Sequence, residues 1–172
     1  MLSELASKKY AQIFILLILV LIVYSPALQN SFLLQWDDGK YIQENPYIND
    51  LSLRGIKNIF IHSYFTNYHP LTTLSYAFEY RLFKYNPLFY HAFNIILHGL
   101  NVILVYFLIL KISYRKDAAF LVSLLFAIHP LQIEPVAWIS QRKDLLYSFF
   151  YLAGLICYIN SIFKSEKNII LC

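Results

Sequence analysis

The chain has 172 residues, 59% of them hydrophobic, 18% aromatic and only 14% charged, with a formal net charge of +4. That balance excludes a soluble domain of this length and describes an integral membrane protein. Cys157 lies in an apolar stretch and Cys172 ends the chain, so neither a disulfide framework nor a zinc spacing is present. No internal repeat or low-complexity tract is visible.

The first element is an uncharged run from Ala11 to Trp36. A helix needs roughly 20 apolar residues to cross about 30 Å of hydrocarbon, and a first span is placed at 11–28. Lys8 and Lys9 also resemble the n-region of a signal peptide, and Ser25-Pro26-Ala27 loosely fits a cleavage site. The run exceeds an h-region of about 7–15 residues, which favours an anchor.

The chain leaves this span through "FLLQWDDGKYIQENP", Phe32 to Pro46. Neighbouring side chains in an extended or turning backbone point in different directions, so Asp37 and Asp38 are not expected to face one reacting atom together. A carboxylate partly desolvated at a membrane edge is pushed towards the pKa of a general base. Asp-Asp-Gly is equally ordinary turn chemistry. Asp37, directly after Trp36, is the candidate base, and Asp38 is expected to bond the loop backbone or pair with a cation.

A long loop, 29–88, follows. Asp50 or Ser52 can cap a helix with Leu53, Ile56, Ile59 and Phe60 on one face, expected to lie flat in the membrane interface; Ile61 breaks the pattern, and a solvated loop helix is the alternative. "PLTTLSYAFEYRLF", from Pro70, carries Glu79 and Arg81, is too short to span, and reads as a second membrane-hugging helix.

The second span, 89–110, carries His91, Asn94, His98 and Asn101 at spacings that put them on one helix face. Such groups face a bundle interior or a water-filled cavity. His91 and His98 are roughly 10 Å apart along the axis, too far to share a metal. Interhelical hydrogen bonding is the structural reading, cavity lining the functional one. "KISYRKD" then separates it from a third span at 118–131. In "AIHPLQIEPVAWISQRKDLL", Ala127 to Leu146, Pro130 and Pro135 interrupt any helix. Irregular backbone at membrane depth is tolerated where it lines a cavity. His129, Glu134, Arg142, Lys143 and Asp144 crowd this stretch. Arg142, with its planar fork of donors, and Lys143, as a point charge, suit a lipid phosphate. Structural alternatives are snorkelling cations beside a Trp138 interface anchor, or pairing with Asp144 or Glu134. The fourth span is 145–163. Placing Lys8, Lys9, Lys111, Arg115, Lys116, Lys164 and Lys167 in the cytoplasm puts the whole +4 excess there. The loops 29–88 and 129–144 are then extracytoplasmic, and the basic balance calls for no nucleic-acid partner.

Three strings in combination, "WDDGKYIQENP", "YHPLTTLSYAFEYRLFKYNPLFYHAFNIILHGLN" and "LLFAIHPLQIEPVAWISQRKDLL", resemble the N-terminal part of the transmembrane and TPR repeat-containing (TMTC) glycosyltransferases. The resemblance runs from about Phe32 to Tyr158. It implies an all-α, polytopic, GT-C-like bundle of about four transmembrane helices, with interfacial helices in the first extracytoplasmic loop. It also implies a polyprenyl-phosphate sugar as donor, typically inverting transfer of mannose to Ser or Thr hydroxyls, and a protein or glycan acceptor. One of Asp37 and Asp38 would be the catalytic carboxylate. Arg142, Lys143 and His129 would face the donor phosphate, with Glu134, His91, Asn94, His98, Asn101, Tyr68 and His69 lining the cavity. No metal ligand set is indicated, and a divalent ion is left open. Relatives carry further spans and a TPR array, so the chain is expected to be the N-terminal portion of a longer product or a truncated paralogue. A non-catalytic anchor or assembly subunit, a small transporter subunit and an inactive fragment are the rival readings. The wealth of Ile, Phe, Tyr, Asn and Lys favours a bacterial plasma membrane; in a eukaryote the same topology gives the endoplasmic reticulum.

Overall fold

The computed structural model describes the backbone of residues 2–65 and 67–170 and the side chains of residues 8–65 and 67–162. Cys172 and the side chains of Lys164 and Lys167, used above for topology, lie outside the described residues. The helices are α1 (Leu2–Tyr24), α2 (Leu53–Ile61), α3 (Pro70–Phe83), α4 (Pro87–Ser113), α5 (Lys116–Ile128), α6 (Ile133–Ala137) and α7 (Arg142–Ile170). Among the described residues there is no strand, only an isolated bridge between Tyr64 and Asn67. The protein is an all-α, polytopic membrane protein.

Among the described residues three stretches are long and apolar enough to cross a membrane: Lys8–Gln29, Pro87–Ser113 and Ile139–Ile162. The expected third span differs. α5 has 13 residues, a rise of roughly 20 Å against about 30 Å of hydrocarbon. The chain then bends by 54° into Pro130–Ala137, because Pro130 has no N–H with which to continue the ladder. The span at 118–131 is therefore one arm of a bent pair.

α4 is the central element. Its Ile95, Leu97, Val102 and Tyr106 pack with Leu16, Val20 and Tyr24 of α1, Ala119 and Ala127 of α5, and Leu145 of α7. At one end of the bundle Lys8 and Asp117 form an exposed 3.0 Å ion pair. Lys9 lies 4.9 Å from the centre of the Phe107 ring. At the opposite end the long loop folds over α4 around a second core of Ile42, Ile48, Ile59, Tyr76, Tyr90 and Ile139. Cysteines introduced at positions 114 and 138 are expected to react with impermeant reagent from opposite sides of the membrane. Labelling of both from one side would overturn this arrangement.

The two loop helices present contrasting faces. α3 buries Thr72, Tyr76, Ala77 and Glu79 while Leu71, Phe78 and Leu82 are exposed. Polar groups face in and apolar groups face out, the inversion that suits a lipid-facing helix. α2 buries Gly55 and Ile59 against the loop and leaves Leu53 90% exposed. The cause is local: Ser52 caps the helix by accepting from the Gly55 N–H. A Cβ at Gly55 would meet the Asp50 carbonyl oxygen at 2.1 Å, so only this glycine face can approach the preceding turn.

Candidate functional site

Beyond the 3-10 turn Ser25–Gln29 the chain turns again at Leu33 to Trp36 and enters a single π-turn, Gly39–Gln43. The turn closes so tightly on Gly39 that a Cβ there would meet the Leu34 carbonyl oxygen at 2.4 Å. Backbone cannot yield to such a contact as a side-chain tip can. Gly39→Ala is therefore expected to cost about 1–3 kcal/mol in detergent unfolding; wild-type stability would refute the closure.

The two aspartates diverge. Asp38 is buried, and its Oδ1 accepts the Ser140 backbone N–H at 2.9 Å and the Ser140 hydroxyl, while Oδ2 accepts the Leu33 N–H at 2.9 Å. It ties the exit of α1 to the turn Ile139–Gln141 that starts α7. This is the backbone role expected of it. Asp37 is half-buried, and among the described residues its carboxylate accepts no hydrogen bond. Trp36 beside it packs edge-on against Trp138, ring centres 5.4 Å apart.

Arg142 is where the sequence-based expectation needs correction. It is fully buried. Its Nε donates to Asn94 Oδ1 at 2.8 Å, Nη1 to Ser75 Oγ at 3.0 Å and to Glu79 Oε2 at 2.5 Å, and Nη2 to the Tyr90 carbonyl at 2.9 Å. The guanidinium carbon also lies 4.6 Å from the Tyr76 ring centre and 4.7 Å from that of Phe93. These partners take four of its five N–H groups and the rings enclose it, so it is not placed to meet a lipid phosphate. Its anion is Glu79, not Asp144 or Glu134. Burial pushes the Glu79 carboxyl up, to about 7, against the downward pull of the Arg142 charge.

The polar stripe on α4 serves the broken backbone opposite it. His98 Nε2 bonds the Ala127 carbonyl at 3.0 Å, just before the Pro130 break. Asn94 donates to the Val136 and Trp138 carbonyls at 3.4 and 3.3 Å, and Asn101 to the Leu145 carbonyl at 3.0 Å. The Ala127 and Val136 carbonyls lie at the ends of α5 and α6, where the imidazole and the amide supply donors. The Trp138 carbonyl, which already accepts the Gln141 N–H, and the Leu145 carbonyl inside α7 take these side chains as further donors. Asn94, His98 and Asn101 thus make hydrogen bonds to neighbouring segments, while His91 lines a space of about 310 Å³ shared with Asp38.

Lys143 points away from its buried neighbour. With His69 it lines a cavity of about 450 Å³, which shares Leu71, Leu146 and Phe150 with an apolar groove of about 530 Å³ between α3, α4 and α7. The His69 pKa is lowered by burial and by the Lys143 charge, with Asp144 opposing. The remaining expected site residues stand apart. His129 is exposed, and its Nδ1 accepts the Leu131 N–H at 3.3 Å as a turn cap. Glu134 is exposed and accepts from Gln141 at 3.0 Å. Tyr68 is 56% exposed and donates its hydroxyl to the Phe60 carbonyl at 2.8 Å. None of the three lines a cavity with Lys143 or Asp38, because each is engaged in local loop structure. Glu79 and Ser75, which the motif reading did not select, are marked in the sequence by polar residues at 72, 75, 76 and 79 on one face of an otherwise apolar helix.

Comparison with known proteins adds descent to this geometry. The chain is 32% identical over 169 residues to the protein O-mannosyl-transferase F38B6.6 of Caenorhabditis elegans, covering 90% of this chain and 24% of that protein. It is 32% identical over 152 residues to human protein O-mannosyl-transferase TMTC1, covering 81% and 17% respectively. With human protein O-mannosyl-transferase TMTC3 it shares 35% identity over 105 residues, covering 61% and 11%. The chain thus spans at most about a quarter of the length of these relatives. No family model matches it, and no solved structure does. The chain is TMTC-like, a homologue of part of the protein O-mannosyl-transferases.

Proposed function

We propose that the chain forms part of a membrane glycosyltransferase that moves a sugar, by analogy with its relatives mannose, from a polyprenyl-phosphate donor to a protein hydroxyl on the non-cytoplasmic side. That side is the periplasmic face of a bacterial plasma membrane or the lumen of the endoplasmic reticulum. The reading is carried by the apolar groove between α3, α4 and α7, which is continuous with the cavity of Lys143 and His69. A polyprenyl tail fits the groove, and its phosphate fits the cation at the mouth. Lys143 also sits in the first turn of α7, where the positive end of the helix dipole favours an anion. Asp37, unencumbered beside the membrane exit, takes the proton of the attacking hydroxyl. Lys143 neutralises charge on the departing lipid phosphate. Asp38 and Arg142 hold the frame on which these two act.

Lys143→Gln is expected to weaken binding of a polyprenyl-phosphate sugar by tenfold or more in nanodiscs, while the melting temperature stays at the wild-type value. Unchanged donor affinity would remove Lys143 from the phosphate site.

A further inference from the structure

A polar cavity of about 350 Å³ lies on the other flank of α3 from the apolar groove, between the turn Pro46–Asn49 and the C-terminal half of the helix. It shares no lining residue with the groove or with the cavity of Lys143 and His69. We infer that this cavity, lined by Asn49, Asp50, Ser52, Tyr80, Arg81 and Lys84 among others, holds the headgroup of a zwitterionic phospholipid with a primary ammonium, the chemistry of phosphatidylethanolamine. Its phosphate meets Arg81 and Lys84, and its ammonium meets Asp50. The inference goes beyond the transferase reading and does not rest on it. The first support is the pair of cations. Arg81 and Lys84 are one helical turn apart, so both serve the same space. Both are exposed, and among the described residues neither forms an ion pair; Lys84 Nζ lies 4.7 Å from the Tyr80 ring centre. They stand on the non-cytoplasmic side, where the charge bias of topology gives no reason for them. A phosphate does, since the guanidinium takes two of its oxygens and the ammonium adds a point charge. Lys84 also ends α3 at a φ of 56°, in the region that favours glycine, with its carbonyl held by the Tyr90 hydroxyl at 3.0 Å. A lysine at a glycine-like position points to a use for its side chain.

The second support is the anion beside them. Asp50 Oδ1 accepts the Ser52 N–H at 2.8 Å and Oδ2 the Ser52 hydroxyl at 3.0 Å, and these bonds hold its carboxyl below the ordinary pKa. An ionised carboxylate has room for about four donors, so Asp50 can take ammonium N–H groups without giving up its bonds to Ser52. Two cations and one anion around one space match a phosphate that carries its own ammonium. A glycerol headgroup has no cation and leaves Asp50 to repel the phosphate, and a trimethylammonium has no N–H to donate. The third support is continuity with lipid. Phe78 and Tyr85, one turn to either side of Arg81, are exposed, and with Leu82 they extend the lipid-facing side of α3. Acyl chains leaving a phosphate at Arg81 run onto that side. About 350 Å³ is near the small end of the roughly 300–1,000 Å³ range of ligand sites, room for a headgroup and not for its chains.

The test counts bound lipid. The chain in neutral detergent is titrated with dioleoyl phosphatidylethanolamine, phosphatidylglycerol or phosphatidylcholine, and the adducts are resolved by native mass spectrometry. One saturable ethanolamine lipid is expected, bound about tenfold more tightly than either of the others. Arg81→Gln should weaken it by about tenfold at an unchanged melting temperature, since that side chain is exposed and has no ion pair among the described residues. Asp50→Asn should instead erase the preference, raising phosphatidylglycerol to the level of phosphatidylethanolamine or above it. Equal binding of the three lipids by the wild type, or undiminished ethanolamine-lipid binding in Arg81→Gln, would overturn the site whether or not Asp50→Asn folds. Displacement by glycerophosphoethanolamine at the lipid's own concentration would overturn the lipid as the ligand. Lys143→Gln should leave this binding unchanged; a parallel loss would overturn a site separate from the donor groove.

Discussion

Arg142→Ala should lose about 3–5 kcal/mol of stability, the usual cost of stripping one partner from a buried ion pair. The Glu79 carboxylate would remain 4% exposed with no cation, and the Asn94 side-chain oxygen would lose its donor. Arg142→Lys should also destabilise, because one ammonium cannot reach Asn94, Ser75, Glu79 and the Tyr90 carbonyl as the planar guanidinium does. The double replacement Arg142→Met with Glu79→Leu is expected to recover much of the loss, since it removes both buried charges together. Unfolding in detergent, compared across the two single variants and the double variant, gives the coupling directly. Near-wild-type stability of Arg142→Ala would contradict the enclosed geometry and return Arg142 to the phosphate.

The adjacent aspartates should separate by assay. Asp37→Asn, in an active full-length context, is expected to lower the rate of sugar transfer by about 10²- to 10⁴-fold, the range for loss of a general base. Its melting temperature should not move, because the Asp37 carboxylate accepts no hydrogen bond among the described residues. Asp38→Asn should lose stability instead, by about 1–3 kcal/mol. An amide presents only one acceptor oxygen, and its NH₂ would face either the Ser140 or the Leu33 N–H that the carboxylate now receives. Full transfer activity in both variants would remove the pair from catalysis. Equal instability in both would mean that Asp37 is as firmly tethered as its neighbour.

Helix class and the apolar spans were readable because they depend on composition and local period, which a sequence displays directly. The division between Asp37 and Asp38 was also readable in outline, from their opposed directions in a turn. Partners were not. Arg142 meets Glu79 across 63 positions and Asn94 across 48, and no local spacing signals which cation enters the core. Its neighbour Lys143, one helical step away, has the same flanking composition and faces a cavity. The Pro130 break was visible as a proline, yet its consequence for His98 and Asn94 was not, since the carbonyls they bond belong to a different segment. His129 looked like a ligand and is a turn cap, a role that needs only the backbone two residues ahead.

The bond between Asp38 and Ser140 closes 102 positions of chain, and that span has a consequence for biogenesis. Helices of a membrane protein emerge from the ribosome in order, so α1, the long loop and α4 are made before the residues that complete their polar contacts exist. Until the segment from Trp138 to Leu145 arrives, Asp38, Glu79, Asn94 and Asn101 lack the partners they have in the finished fold. A nascent chain arrested before Arg142 would expose an acidic, amide-rich seam to lipid, the kind of lesion that membrane quality control removes. Maturation of the first loop is therefore timed by insertion of α7.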